Sequence, residues 1–315
     1  MSTFTDEPQS SEGQFPVAEE SLSKKAKTPS KTPAFQAMHL GRYRRQELIR
    51  SIEKETERQL ICYVAGLNTA ISRDDVLFLV DILHNVRPNE NLDCLLHTPG
   101  GDMDAAEKLI SMVRNVVGTA ELRVIVPDFA KSSGTLMALG ADVIMMSDSS
   151  ELGPIDPQIV LNDGIGNRMV TSIQSYLDAY AEKVKAVEQN PNDVASQLML
   201  QKFEPARVKL FQTARQRALK IAEIQLSTGM FRPPKSGNFT AIAESMMDPV
   251  RWQSHGQMIG HAQAISLGLT VEYREPHDPL WESFWQLYCY QRFEIQDKHK
   301  LFESNYASLS FDDVA

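Results

Sequence analysis

Cysteine is scarce in this chain: Cys62, Cys94 and Cys289 are the only three among 315 residues. They are odd in number, scattered and without a CxxC pair, which argues against a disulfide framework or a thiolate metal site. Reduced, buried thiols in a cytoplasmic setting are expected instead. Positive charge is also short. Against 41 Asp and Glu stand 32 Lys and Arg, a formal charge of −9, so neither nucleic acid nor an anionic membrane surface is the expected partner. No run approaches the ~20 apolar residues that span a bilayer, and the largely polar Met1 to Gln14 has no leader-like apolar core. A GxxxxGK[ST] phosphate loop is missing, so any energy-dependent unfolding of a substrate falls to a separate partner. No motif asks for a cofactor. His255 and His261 are six apart, not four as in a helical zinc pair, so no metal is expected.

What is present is an ordinary globular composition, 42 % hydrophobic and 23 % charged. Residues 1–38, rich in Ser, Thr, Pro, Glu and Lys, read as a disordered tail, with Lys24, Lys25, Lys27 and Lys31 solvated. Residues 39–275 read as one folded domain, and 276–315 as an aromatic helix with a loose end over the last fifteen residues. Within the domain, apolar strand-like runs alternate with helical patterns. Leu60–Gly66 is a buried strand, and Ser72 opens a helix with Asp74 and Asp75 in its first turn. Strands at 92–96, 122–126 and 143–146 follow, separated by helices over 102–117 and from Ser132 to Gly140. That alternation predicts a parallel sheet with right-handed crossovers. From Thr171 to Met230 the pattern is helical, broken at Asn190–Asp193 and interrupted by Pro205. A last strand is expected over 268–271, then an aromatic helix over 280–293 whose Trp281, Phe284 and Tyr288 face the core or a subunit contact.

Two turns carry the chemistry. Each follows an apolar strand and opens a helix: His97-Thr98-Pro99-Gly100-Gly101-Asp102 and Lys131-Ser132-Ser133-Gly134-Thr135. Free N–H groups at two helix mouths on one sheet edge stabilise an anionic oxygen. With Ser132 at the second mouth, the pattern reads as a serine nucleophile, and the N–H groups of Gly100, Gly101 and Ser133 are the candidate oxyanion donors. The plainer alternative is that Ser132 or Ser133 is a helix cap and Pro-Gly-Gly a tight turn. Asp102 reads as a dipole-favoured residue at a helix start, and His97 as a side chain packed at a strand end.

These turns resemble the S-P-G-G turn and the A-S-x-G nucleophile stretch of the Clp protease proteolytic subunit and signal peptide peptidase A. Over residues 55 to 272 the chain is most similar to the serine dehydrogenase proteinase family of that clan. The likeness includes the loop Gly153-Pro154-Ile155-Asp156-Pro157-Gln158 and the run Trp252 to Leu269. The resemblance implies an α/β fold, a crotonase/Clp-protease-like spiral of βαβ units with a helical C-terminal part. It also implies a serine peptidase acting on polypeptides through an acyl-enzyme on Ser132, with Gly100, Gly101 and Ser133 as oxyanion hole, and a homo-oligomer.

The base departs from the relatives' patterns. Clp-type enzymes carry a His soon after the Ser, but here that stretch holds Asp156 and Pro157, and no His lies between His97 and His255. Peptidase-A-like enzymes use a Lys from a downstream helix, whose neutral amine requires a desolvated site. Lys183 and Lys185 fall near that place. Lys183, with Ala179, Tyr180 and Val187 as helical neighbours, is favoured over Lys185, which has Glu182 and Glu188 to pair with. Asp156 either orients the base, binds a substrate amide or simply forms a turn, and His255 is a more distant candidate base. Two further readings stay open. One is a catalytically degenerate peptidase fold serving as a scaffold. The other is an acyl-CoA enzyme of the crotonase type, disfavoured because no Glu stands in the adjacent turn.

Overall fold

Buried strands in nearly continuous apolar runs demand cover on both faces, and the helices between them supply it. A computed structural model describes residues 32–162, 168–297 and 299–312. The chain divides into two compact units, 1–39 and 40–315. In the first, the expected tail lies outside the described residues up to Lys31. Pro33–Met38 form helix α1, with Pro33 at its first turn and the Thr32 hydroxyl accepting from the Phe35 N–H.

The second unit runs α2 (Leu40–Thr56), β1 (Gln59–Ala65), α3 (Asp75–Leu83), β2 (Leu92–His97), α4 (Met103–Val117), β3 (Leu122–Ile125), β4 (Phe129–Ala130), α5 (Ser133–Leu139), β5 (Val143–Met146) and β6 (Glu151–Leu152). It continues through a hairpin, β7 (Gln158–Asn162) and β8 (Arg168–Ser172), into α6 (Ile173–Gln189), α7 (Val194–Leu200), α8 (Pro205–Thr228), α9 (Phe239–Met247), α10 (Pro249–Trp252) and α11 (His261–Ser266). It ends with β9 (Val271–Tyr273), α12 (Pro279–Ile295), β10 (His299–Ser304) and β11 (Ser308–Asp312). Pro205 starts α8 instead of interrupting a helix, since a first-turn Pro forfeits no hydrogen bond.

Seven strands form the main sheet in the order β11-β10-β1-β2-β3-β5-β9. From β1 through β9 neighbours pair in parallel, so the expected spiral of βαβ units is present. Alternate residues of β1 go to opposite faces. Ile61, Tyr63 and Ala65 join Ile82, Leu109, Ile110, Leu136, Leu139 and Ile221 in one core. Leu60, Cys62 and Val64 meet Ile49 and Ile52 of α2 and Trp281, Phe284 and Leu287 of α12 in the other. Cys62 and Cys94 are free and buried, and burial with the nearby Asp93 pushes the Cys94 thiol up to about 12, so both are inert neutral thiols.

A loose end is expected over 301–315, but the described residues up to 312 carry strands β10 and β11. Strand β10 pairs antiparallel with β1, and β11 with β10, so the C-terminal segment completes the sheet that the 39–275 boundary would have cut. Leu301 enters the α2–α12 core and Phe302 the α3–α4 core. Flanking them are Lys300 and Glu303, both fully buried, each neutralised by an ion pair: Lys300 with Asp75 and Glu303 with Arg45. Charges at strand positions disguised a core strand as a polar tail.

Beyond the main sheet runs a second, short ladder. Thr98 pairs in parallel with Ala130, Ala130 with Leu152 through β4 and β6, and Leu152 antiparallel with Ile259. A separate parallel bridge joins Ile71 to Gly101. No helix among the described residues is long and apolar enough to cross a membrane.

Candidate active site

The short ladder brings distant segments into line. Two residues past Thr98 is Gly100, and two past Ala130 is Ser132. Four residues past Leu152 is Asp156. Because Ile259 pairs antiparallel with Leu152, the same direction along its strand leads back four residues to His255. Asp156 and His255 accordingly meet, with His255 Nδ1 2.7 Å from Asp156 Oδ1. The Asp156 side chain is 6 % exposed and that of His255 21 %. A carboxylate only accepts, so Nδ1 carries the hydrogen, and in the neutral imidazole Nε2 keeps its lone pair.

Ser132 occupies an unusual backbone state, φ 51° and ψ −116°. A left-handed φ costs a residue with a Cβ about 1–3 kcal/mol, and such strain gathers where a side chain must be presented at a sharp bend. A strand-to-helix turn holding a nucleophilic Ser has this character. The Ser132 hydroxyl makes no capping bond, so its position at the head of α5 is not that of a helix cap. Ser133 does not cap either; its hydroxyl donates to the Gly101 carbonyl at 2.7 Å and ties the two turns together. The residue is only half-buried at 132 and buried at 133. Helix α5 has seven residues, shorter than its sequence pattern suggests, so the useful donor here is one N–H and not a macrodipole.

The Pro-Gly-Gly turn presses directly on the serine. A Cβ on Gly100, whose φ is 102°, would lie 2.8 Å from the Lys131 carbonyl oxygen and 2.9 Å from Ser132 Cβ. The three expected donors then separate. Gly100 N–H donates to Thr98 Oγ1 at 3.1 Å and is engaged. Among the described residues no group accepts from the N–H of Gly101 or of Ser133. The Gly100 carbonyl accepts from Ile71 N–H at 2.8 Å, and a trans peptide aims the Gly101 N–H the opposite way. Gly101 and Ser133 are the pair with free hydrogens.

Lys131 holds the histidine loop against this edge. Its Nζ pairs with Glu151 at 2.8 Å and donates to the carbonyls of Leu152, Gly256 and Gln257 at 3.2, 3.5 and 3.3 Å. Thr135 links the other side: its hydroxyl accepts from the Gly153 N–H at 3.0 Å, at the start of the loop leading to Asp156.

The lysines favoured from the sequence both lie on α6. Lys183 pairs with the adjacent Glu182 at 2.8 Å, and Lys185 is exposed on the same helix. Lys185 stands in solvent and the half-buried Lys183 faces a carboxylate, so neither sits in the apolar, unpaired surroundings that a neutral amine requires. His97 is fully buried, its Nδ1 2.9 Å from the Ala65 carbonyl and its ring against Phe129 and Tyr288, as a packed strand-end residue. Asp102 caps α4, accepting from Asp104 N–H at 2.8 Å and Ala105 N–H at 3.0 Å. His261 starts α11 and packs its ring, tilted, against Tyr273. No group of three or more His, Cys, Asp or Glu among the described residues could hold a metal.

Comparison with known proteins places the two turns inside a family match. Residues 32–185 match the family described as ClpP-like SDH-type serine proteinase, a span that includes Ser132 and Asp156 and stops short of His255. One uncharacterized protein of Methanocaldococcus jannaschii is 39 % identical over 118 residues, 36 % of this chain and 35 % of its own length. A second from the same organism is 41 % identical over 68 residues, 22 % of this chain and 23 % of its own. The chain thus spans about a third of the first relative and less than a quarter of the second. Among solved structures, a mutant of a membrane-bound stomatin-specific protease with a substrate peptide aligns at 16 % identity. That alignment covers 74 % of this chain and 98 % of the other, with a TM-score of 0.33. ClpP1 from Listeria monocytogenes aligns at 13 % identity over 75 % of this chain and 98 % of its own, with a TM-score of 0.37. Over residues 32–185, just under half of the chain, the sequence is similar to the ClpP-like SDH-type serine proteinases.

Proposed function

We propose that this protein is a serine peptidase in which Ser132 attacks the substrate carbonyl, His255 is the base and Asp156 orients it. The observation that carries the reading is the strained, uncapped Ser132 beside two unengaged N–H groups. His255 Nε2 takes the proton of Ser132 Oγ as the C–O bond forms, and the N–H groups of Gly101 and Ser133 hold the resulting oxyanion. Collapse of that intermediate breaks the C–N bond. The leaving amine takes the proton back from His255, and water then attacks the acyl-enzyme by the same route in reverse order. The Nδ1–H bond to Asp156 keeps Nε2 free for both transfers. No step requires a cofactor.

Substitution at Ser132 separates this reading from a scaffold that merely shares the fold. Wild type is expected to react with a fluorophosphonate probe at a single serine, and Ser132→Gly to lose labelling. Because Gly accepts a positive φ without strain, the same variant is expected to be more stable by about 1 kcal/mol in urea unfolding. Undiminished labelling of Ser132→Gly, or an unlabelled wild type, sinks the nucleophile assignment. A loss of stability would show that the hydroxyl serves the fold.

Self-association belongs to the same proposal. On α7 and α8, Val194, Leu198, Met199 and Leu210 are each more than half exposed, an apolar surface that water disfavours. Light scattering is expected to give a multiple of the 35.4 kDa chain mass. Monomer at micromolar concentration would remove the oligomer from the reading.

A further inference from the structure

We infer that the buried Lys300–Asp75 ion pair is a positioning device for the Gly100–Gly101 turn, linking the C-terminal strand β10 to the oxyanion donors. The catalytic meaning rests on the Ser132 reading; the mechanical link does not.

The chain of contacts is short and wholly polar. Lys300 is fully buried and its Nζ lies 2.9 Å from Asp75 Oδ1 and 3.3 Å from Ser72 Oγ. Asp75, also fully buried, accepts through Oδ2 from the Tyr63 hydroxyl at 2.9 Å and from the Ser72 N–H at 2.9 Å. Position 75 is therefore not the exposed first-turn acid its sequence suggests; α3 has Asp74 at its cap without a capping bond, and Asp75 turns inward. Ser72 is the neighbour of Ile71, and Ile71 grips the turn from both sides. Its N–H donates to the Gly100 carbonyl at 2.8 Å, and its carbonyl accepts from Asp102 N–H at 3.0 Å. The two backbones touch, since a Cβ on Gly101 would fall 2.4 Å from Ile71 N and 2.5 Å from Ile71 O.

A shift at Ser72 therefore passes to Ile71 and on to the Gly100–Gly101 peptide, with no slack in between. That peptide carries the Gly101 N–H. Two fully buried charges are a costly way to hold a surface loop, whereas their fixed geometry defines where Ser72 can sit. Oxyanion donors act only if placed to a fraction of an ångström, and misplacement of about 1 Å costs about 10²-fold in rate.

The test replaces Lys300 by Met, which keeps the buried stem and removes the cation. The readouts are amide exchange at Ile71 and Asp102 and the rate of fluorophosphonate labelling at Ser132. Lys300→Met is expected to speed exchange at both amides by about tenfold or more and to slow labelling by about 10²-fold. Glu303→Gln breaks the other buried pair of β10, with Arg45 on the opposite face of the sheet, and is expected to leave both readouts near wild type. If Lys300→Met does not fold, Lys300→Met/Asp75→Asn takes its place, because it leaves no unpaired charge buried. In that double variant one Asn oxygen serves where two carboxylate oxygens did, so exchange at Ile71 and Asp102 stays faster than wild type. Wild-type exchange in a folded Lys300 variant overturns the proposal, as does an equal effect of Glu303→Gln. Should wild type fail to label, the Ser132 reading falls, and exchange alone decides the link.

Discussion

His255→Ala lowers kcat/KM for a fluorogenic peptide by about 10⁴-fold or more, and Lys183→Ala and Lys185→Ala leave it within about twofold. The physical reason is that a hydroxyl is a poor nucleophile unless its proton has somewhere to go as the bond forms. In this site the imidazole is the group held in a single orientation, by a 2.7 Å bond to a nearly buried carboxylate. Lys183 is instead paired with Glu182 on α6 at 2.8 Å. Asp156→Asn is the finer probe. It keeps shape and burial but can offer an N–H where an acceptor stood, so His255 flips to the tautomer with hydrogen on Nε2 and the rate falls by about 10³–10⁴-fold. Stability in urea is expected to change far less than rate. A Lys183→Ala variant that loses activity, with His255→Ala active, would return the base to α6.

The second large effect is expected at the oxyanion turn. Gly101→Ala should lower kcat by about 10²–10³-fold, as loss of one oxyanion donor does. Two causes act together. The φ of Gly101 is 151°, where L residues are strained, and its new Cβ would meet the Ile71 backbone at 2.4–2.5 Å. Backbone cannot rotate away as a flexible side chain can, so the turn must move, and the Gly101 N–H moves with it. A cost of about 2–4 kcal/mol is expected in denaturant unfolding, combining strain with the displaced contact. Gly100→Ala should be as damaging to rate for a different reason, since its Cβ would lie 2.9 Å from Ser132 Cβ and displace the nucleophile itself. Measuring kcat and KM separately distinguishes the two, because loss of an oxyanion donor lowers kcat with KM little changed. A Gly101→Ala enzyme of wild-type kcat would remove this N–H from the mechanism.

Both effects concern residues whose partners are far away in the chain, and that is where the sequence was hard to read. The two turns that carry Ser132 and the free N–H groups of Gly101 and Ser133 were legible because each is a local signal: small residues between an apolar strand and a helix. The base was not. Asp156 and His255 are 99 positions apart, separated by a hairpin and five helices, and no spacing rule joins them. What joins them is the antiparallel bridge Leu152–Ile259, a single pairing with no periodic pattern to announce it. Lys183 looked suited to desolvation because its helical neighbours are apolar, but periodicity alone does not say which face of an outlying helix meets solvent.

The sequence by itself determined the parallel α/β core, the two turns, the inert thiols and the acidic balance, because those follow from local hydrophobic period and residue type. It also placed α12 and its buried aromatics. Tertiary structure alone decided that β10 and β11 complete the sheet, since buried Lys300 and Glu303 are tolerable only beside Asp75 and Arg45, contributed from distant helices. It alone decided which imidazole stands beside which carboxylate, and which glycine N–H is free. A hydrogen bond depends on position and direction in space, and between segments far apart in the chain only the completed fold supplies either.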